Sequence, residues 1–245
     1  MRQFLELFAT VVDGACALLR MDRAAPQESV PGERRPQAAL VPVRSLRPRH
    51  RRAVLAHLLG LSPRDRYLRF GYGAQDAQIE AYVSGLDFDR DQIYGVFNRR
   101  LHLIAVAHLA YGPQSDAKRG AEFGVSVSPN YRGKGLGAKL FARAQVHAQN
   151  YHVSQMFIHA LTENGAMLKI ARNAGATVQR FGSESDAYLE LPSPTLTSRM
   201  SEAMDGQIAD TDYRLKVQAR QFWSLFDSVR TLRQRLRRWS GKASE

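Results

Sequence analysis

The sequence predicts a mixed domain of α/β or α+β architecture, with added amphipathic helices at both ends. Three observations predict it. Between residues 40 and 191, stretches with helical apolar spacing interleave with short runs that read as strands. One of those runs passes through a glycine-rich turn straight into a helix. Stretches rich in proline separate this middle zone from amphipathic sequence on either side.

The elements follow in order. Phe4, Phe8, Val11, Ala15 and Leu18 recur at three- and four-residue spacing, so residues 1–22 read as an amphipathic helix. Residues 23–39 carry proline and charge without periodicity and read as a linker. Within the domain, 41–45 is a strand candidate, and the stripe Val54, Leu55, Leu58, Leu59 makes 49–60 a helix closed by Gly60. Two short helices are expected at 62–70 and 76–84. Strands at 92–98 and 101–111 are joined by a tight turn at 98–100, and 121–128 is a third strand with Gly124 as a candidate bulge. A helix at 135–150, a strand at 155–161 and a helix at 164–173 ended by Gly175 come next. Strands at 178–180 and 186–191 complete the sheet. Residues 192–245 read as a basic helical extension, in which Phe222, Leu225, Val229, Leu232, Leu236 and Trp239 follow heptad spacing.

Composition narrows the class. An apolar share of 44% and a charged share of 24% are those of an ordinary globular chain able to bury a core. The single cysteine, Cys16, excludes an intramolecular disulfide framework and a cysteine-based zinc cluster. Glu6 and Asp13 interrupt the apolar start, and no long uncharged run follows, so a cytoplasmic protein is the expectation. The net charge of +12 favours anionic partners, and much of it sits in the arginine-rich tail.

The segment from Ala121 to Leu140, AEFGVSVSPNYRGKGLGAKL, carries the chemistry. Its strand runs into Arg132-Gly133-Lys134-Gly135-Leu136-Gly137, and a helix begins at once. Exposed N–H groups at a helix start, with the positive end of the dipole, suit a pyrophosphate. Arg132 and Lys134 add cationic donors. A Walker A loop is excluded by glycine spacing and by the missing Lys-Ser/Thr ending. The dinucleotide fingerprint needs G-x-G-x-x-G, which Gly133, Gly135 and Gly137 do not supply. An ordinary strand–helix turn remains the plain alternative.

Arg132 to Gly137, with Ala138, resembles the R-x-x-G-x-G/A acyl-CoA signature of GNAT acetyltransferases. LSPRDRYLRF, GLDFDRD, AEFGVSV and TENGAMLKIARNAGA are, in that order, similar to segments of the GNAT domain of bacterial Pat-type protein lysine acetyltransferases. The large acyl-CoA-synthetase-like portion of the long Pat enzymes has no counterpart ahead of residue 41. The resemblance implies a GNAT fold, a mostly antiparallel twisted sheet flanked by helices, spanning residues 40–191. It implies acetyl-CoA as co-substrate, and no metal is expected because His102, His108, His147, His152 and His159 form no metal-ligand spacing with carboxylates or Cys16. Val125, Ser126 and Val127 match the splayed strand that offers backbone groups to pantetheine. Arg132, Gly133, Lys134, Gly135, Leu136, Gly137 and Ala138 match the pyrophosphate clamp, and Asn164 an asparagine beside the pantetheine arm.

Glu122 matches the glutamate used as general base in Pat-type enzymes. The chemistry requires such a base, because bringing a lysine amine with a pKa of about 10.4 to its nucleophilic form at pH 7 costs roughly 4.6 kcal/mol. A carboxylate made more basic by burial would assist. The oxyanion would be met by a backbone N–H of the splayed strand, expected at Val127. Many GNAT enzymes carry a tyrosine seven residues after the asparagine to reprotonate the thiolate, and here that position is Ala171. Tyr131, Tyr151 or water are the candidate substitutes.

The resemblance makes a protein lysine the leading acceptor of an N-acetyltransferase. A small-molecule amine N-acetyltransferase and a non-catalytic acyl-CoA-binding regulator are the alternatives. Asp87, Asp89 and Asp91 alternate in a loop that could attract a cationic acceptor, while His108 and His159 read as structural histidines. For the terminal helices, pairing with each other or across a homodimer is the first expectation, and an anionic surface or membrane interface the second. Nucleic-acid binding has no recognisable module behind it.

Overall fold

A computed structural model describes residues 41–112 and 120–240, with side chains of the last helix followed as far as Gln218. The expected N-terminal helix and linker therefore lie outside the described residues, as do the side chains of the heptad from Phe222 to Trp239.

The chain runs β1 (Arg44–Ser45), α1 (Arg51–Leu59), α2 (Pro63–Phe70), α3 (Asp76–Ser84), β2 (Gln92–Phe97), β3 (Leu103–Tyr111) and β4 (Gly120–Val127). It continues as α4 (Leu136–Asn150), β5 (Gln155–Leu161), α5 (Gly165–Asn173), β6 (Thr177–Phe181), β7 (Glu184–Glu190) and α6 (Leu196–Ser240). Short 3₁₀ turns at Pro48–His50 and Pro129–Tyr131 precede α1 and follow β4. Local chemistry explains several starts. Ser62 caps α2 by accepting from the Asp65 N–H, with Pro63 fitted to the first helical position. Asn164 caps α5 by accepting from the Met167 N–H.

Seven strands form one sheet in the order β1-β2-β3-β4-β5-β7-β6. Every pairing is antiparallel except β4 with β5. One face packs on α4 and α5 through Leu109, Phe123, Leu140, Phe141, Met156 and Leu168. Phe123 and Phe141 meet edge to face at 5.0 Å. The other face of the first strands packs on α1 and α3 through Val54, Leu58, Ile79, Val83, Ile93 and Val106. The sheet is thus sandwiched between helices, as the sequence predicts.

Two local expectations need correction. The first strand is Arg44–Ser45 rather than 41–45. Gly124 is not a bulge, because the β3–β4 register runs unbroken from Ala105↔Val127 to Tyr111↔Ala121. The irregularity sits instead between Val96 and Phe97 of β2. The tail is a single helix of 45 residues. Its first half is fixed to the domain: buried Arg143 of α4 lies 3.7 Å from Glu202 and 3.9 Å from Asp205. Further along, Asp210 meets Arg44 at 3.2 Å and Lys216 donates to the Phe97 carbonyl at 3.2 Å.

Candidate active site

The parallel ladder between β4 and β5 holds for three pairs, Gly120↔Gln155, Ala121↔Met156 and Glu122↔Phe157, and then ends. Beyond it β4 stays with β3 alone. Ser128 N–H donates to the Ile104 carbonyl at 2.9 Å, which fixes the phase of the antiparallel ladder. Even-numbered residues of β4 therefore bond to β3, the backbone groups of Val125 and Val127 point away from it, and those of Val125 face the opening on the β5 side. That opening is a cleft of about 340 Å³ between α2, α3, β4, β5 and the start of α5. A larger hollow of about 510 Å³ lies among Gln155, Thr177, Gln179 and Tyr188. It lacks the splayed backbone of β4, so the smaller cleft is the candidate site.

At the end of β4 the chain turns into α4. Gly133 and Gly135 both have φ of +73°, in the left-handed region that favours glycine. The first bond back along α4 is Lys139 N–H to the Gly135 carbonyl. The N–H groups of Leu136, Gly137 and Ala138 therefore have no acceptor within the helix and are available to an anion. Gly137 has a packing role: a Cβ there would lie 3.1 Å from Ile170 of α5. Leu136 sends its side chain into the core.

The two cations of the turn differ. Lys134 is exposed, with Nζ 5.1 Å from the centre of the Tyr131 ring and 3.4 Å from the Asn130 carbonyl. Arg132 is already engaged, 2.7 Å from Asp65 and donating through Nε to the Val127 carbonyl at 3.2 Å. It fastens the turn to α2. Burial pushes the Asp65 carboxyl up, but the Ser62 hydroxyl and the Arg132 guanidinium outweigh it and hold that carboxyl below its ordinary value.

Glu122 is exposed and lines the cleft, so the burial expected to make it more basic is absent. Ser126 does not face the opening. Its hydroxyl is 2.9 Å from His57 Nε2 beneath α1, and its backbone belongs to the β3 ladder. Asn164 lines the cleft, yet its amide is occupied: Oδ1 caps α5 and Nδ2 donates to the Leu68 carbonyl at 3.3 Å.

The model of the acetyltransferase (GNAT) family matches residues 62–176. This part of the chain is similar to the GNAT acetyltransferase family. Among solved structures, the GNAT domain of S. lividans PAT is similar over 61% of this chain and 89% of its own, at 18% identity and a TM-score of 0.52. Spermidine N-acetyltransferase from Vibrio cholerae, in complex with CoA and spermine, matches over 60% of this chain and 94% of its own, at 18% identity and a TM-score of 0.48. A cAMP-binding acyltransferase from Mycobacterium smegmatis matches at 23% identity and a TM-score of 0.45, over 72% of this chain and 51% of its own. No curated protein sequence matches the chain significantly.

The GNAT domain is an acyl-CoA:amine acyltransferase, and its family uses acetyl-CoA. The tyrosines considered from the sequence as proton donors lie away from the cleft. Ala171 is buried in the core. Tyr151 stacks with Tyr111 and His147 at the far end of α4. Tyr131 accepts from Asn98 Nδ2 beyond the end of β4. Neither tyrosine lines the cleft.

Tyr82 of α3 does line it, together with Arg69 of α2. Arg69 Nη2 donates to the Tyr82 oxygen at 3.1 Å, that oxygen is 2.8 Å from His108 Nδ1, and His108 Nε2 is 3.0 Å from Asp91. Asp91 is buried and also accepts from Arg90 and from the Tyr111 N–H. Asp87 accepts from the N–H groups of Asp89 and Arg90 and closes a turn. The alternating aspartates are thus not one surface: Asp91 faces inward and Asp87 shapes the loop.

Proposed function

We propose that this GNAT domain moves the acetyl group of acetyl-CoA to a primary amine that arrives as an ammonium ion, with a protein lysine as the leading acceptor. The observation that carries this reading is the cleft itself. Its splayed strand offers the backbone of Val125, while three carboxylates, Glu122, Glu184 and Asp186, outnumber Arg69 around the same opening in a chain whose net charge is +12. An acidic mouth on a basic protein favours a cationic acceptor over an anionic one.

The cofactor follows the backbone. Its pyrophosphate sits at the N–H groups of Leu136, Gly137 and Ala138, beside Lys134, and its pantetheine amides pair along β4 toward Glu122. Val125 lies about 10 Å along the strand from Glu122 and Val127 about 17 Å, at 3.3 Å per residue. The N–H of Val125, rather than the expected Val127, is therefore the donor nearer the reacting carbonyl. Glu122, directly or through one water, takes the proton that converts the ammonium ion to the attacking amine.

Calorimetric titration with acetyl-CoA, followed by transfer to a lysine-containing peptide and to spermine, tests the reading. Glu122→Gln should lower kcat about a hundredfold or more, with the Kd for acetyl-CoA unchanged. Unchanged kcat removes Glu122 as the base. Transfer to spermine and not to the peptide replaces the lysine acceptor with a small amine.

A further inference from the structure

We propose that Tyr82, backed by His108 and Asp91, carries a proton from the acceptor nitrogen to the sulfur of coenzyme A. This rests on the acetyltransfer reading above. Tyr82 would touch the reacting atoms and is the catalytic residue; His108, Asp91 and Arg69 act through it.

The hydrogen bonds have one consistent direction. Asp91 is buried; desolvation pushes its carboxyl up, but Arg90, His108 and the Tyr111 N–H together hold it below the ordinary carboxylate value. It is ionised near neutral pH and can only accept, so His108 Nε2 carries the hydrogen. Burial lowers the His108 pKa against the opposing pull of Asp91 and Glu122, with Arg69 adding to the lowering. The ring is then neutral and Nδ1 is an acceptor for the Tyr82 hydroxyl. Arg69 donates to one of the two lone pairs of the Tyr82 oxygen and stabilises negative charge on it, which leaves the other lone pair to accept a proton. The charged and titratable groups facing His108 are thus Tyr82, Asp91, Arg69 and Glu122.

A satisfied interior histidine would need none of the next features. The Tyr82 ring and the Arg69 side chain line the cleft beside Glu122, Gly124 and Val125. His108 and Gly124 are cross-strand partners, so the imidazole lies on the sheet face that carries Glu122. The cleft holds no other tyrosine among the described residues.

Acetylation of an ammonium ion removes two protons from nitrogen. Glu122 takes the first before attack and releases it to solvent. The amine lone pair then forms the C–N bond, leaving a second proton on the positively charged nitrogen of the tetrahedral intermediate. That proton passes to the Tyr82 oxygen as the Tyr82 hydroxyl proton moves to His108 Nδ1, and the imidazolium is met by Asp91. When the C–S bond breaks, sulfur keeps the electron pair. The relay runs back, so that sulfur gains a proton and His108 is neutral again. Nothing else is consumed.

The test combines kinetics with one measurement that needs no turnover. Tyr82→Phe and His108→Gln should each lower kcat for the lysine peptide about tenfold or more, with the Kd for acetyl-CoA unchanged as a check on folding. The double variant should be no slower than either single one, because both remove the same path. Multiplying losses would mean two independent structural defects and would overturn the relay. Nitrogen-15 NMR of the wild-type protein at neutral pH should find His108 neutral with the hydrogen on Nε2. The opposite tautomer, or a charged ring, also overturns it. Should the protein transfer acetyl to neither peptide nor spermine, the acceptor reading fails, and the tautomer alone decides the relay.

Discussion

The guanidinium of Arg69 occupies the space that a side chain at Gly124 would need: a Cβ built there comes within 2.6 Å of Arg69 Cζ. The atoms in the way are the far end of a flexible side chain, so Gly124→Ala should fold, with stability changed by no more than about 1 kcal/mol. The displaced guanidinium would lose its bond to Tyr82. Thermal denaturation and steady-state kinetics on the same preparation should therefore find a near-normal Tm and a kcat reduced about tenfold.

Gly135 stands in open space with φ at +73°. Gly135→Ala meets no neighbour, so its cost is backbone strain of about 1–2 kcal/mol, together with a distorted start to α4. Weaker acetyl-CoA binding by calorimetry, in a protein still folded at room temperature, is the expected result. Unchanged affinity would remove the turn from the binding site.

Arg132 holds α2 and β4 as much as it faces a ligand. Arg132→Ala should lower stability by about 1 kcal/mol even without acetyl-CoA, a modest figure because the guanidinium is half exposed. Denaturant titration of the ligand-free variant checks this. If affinity falls and stability does not, the arginine serves the cofactor alone.

His57 is buried and bonded to the Leu103 carbonyl and the Ser126 hydroxyl, and its pKa is lowered to about 4, chiefly by burial. The unfolded chain binds a proton near pH 6.5, which the folded protein refuses until about pH 4. Stability contributed by neutral His57 is thus full above pH 6.5 and is lost as pH falls toward 4, by up to about 3 kcal/mol. Denaturant titrations at pH 7, 6 and 5 should trace the loss, and His57→Gln should flatten it. Asp65 and Asp91 act in the same sense at lower pH, below the ordinary carboxylate value.

Much of this architecture is legible in the sequence because its signals are local. Ser62-Pro63 and Asn164 announce helix starts, and the Arg132 to Gly137 turn joins a strand to a helix through residues within a few positions of each other. Elements that depend on distant partners are less legible. Gly124 reads as a bulge until Arg69, from another layer, is seen above it. His108 reads as a structural histidine because Tyr82 and Asp91 are 26 and 17 residues away. Ser126 matches a cofactor-binding stretch, yet strand alternation turns it toward His57. Asp91 could have been separated from Asp87 and Asp89 only by knowing which side of the loop faces the sheet.

The separation of β4 from β5 also means that this protein carries a sheet edge in its middle as well as at its rims. Rim edges invite any passing strand and are usually blunted by charge, proline or a covering helix. Here the backbone of Val125 lies in a cleft bounded by α2 and the start of α5, which confines it more than an open rim would. The side chains of Val125 and Val127 pack against the core, while the spacing between their main-chain groups is held by the pleat. On the proposed reading, the donor's arm would be in effect a missing strand, and each catalytic cycle would complete the sheet and then reopen it.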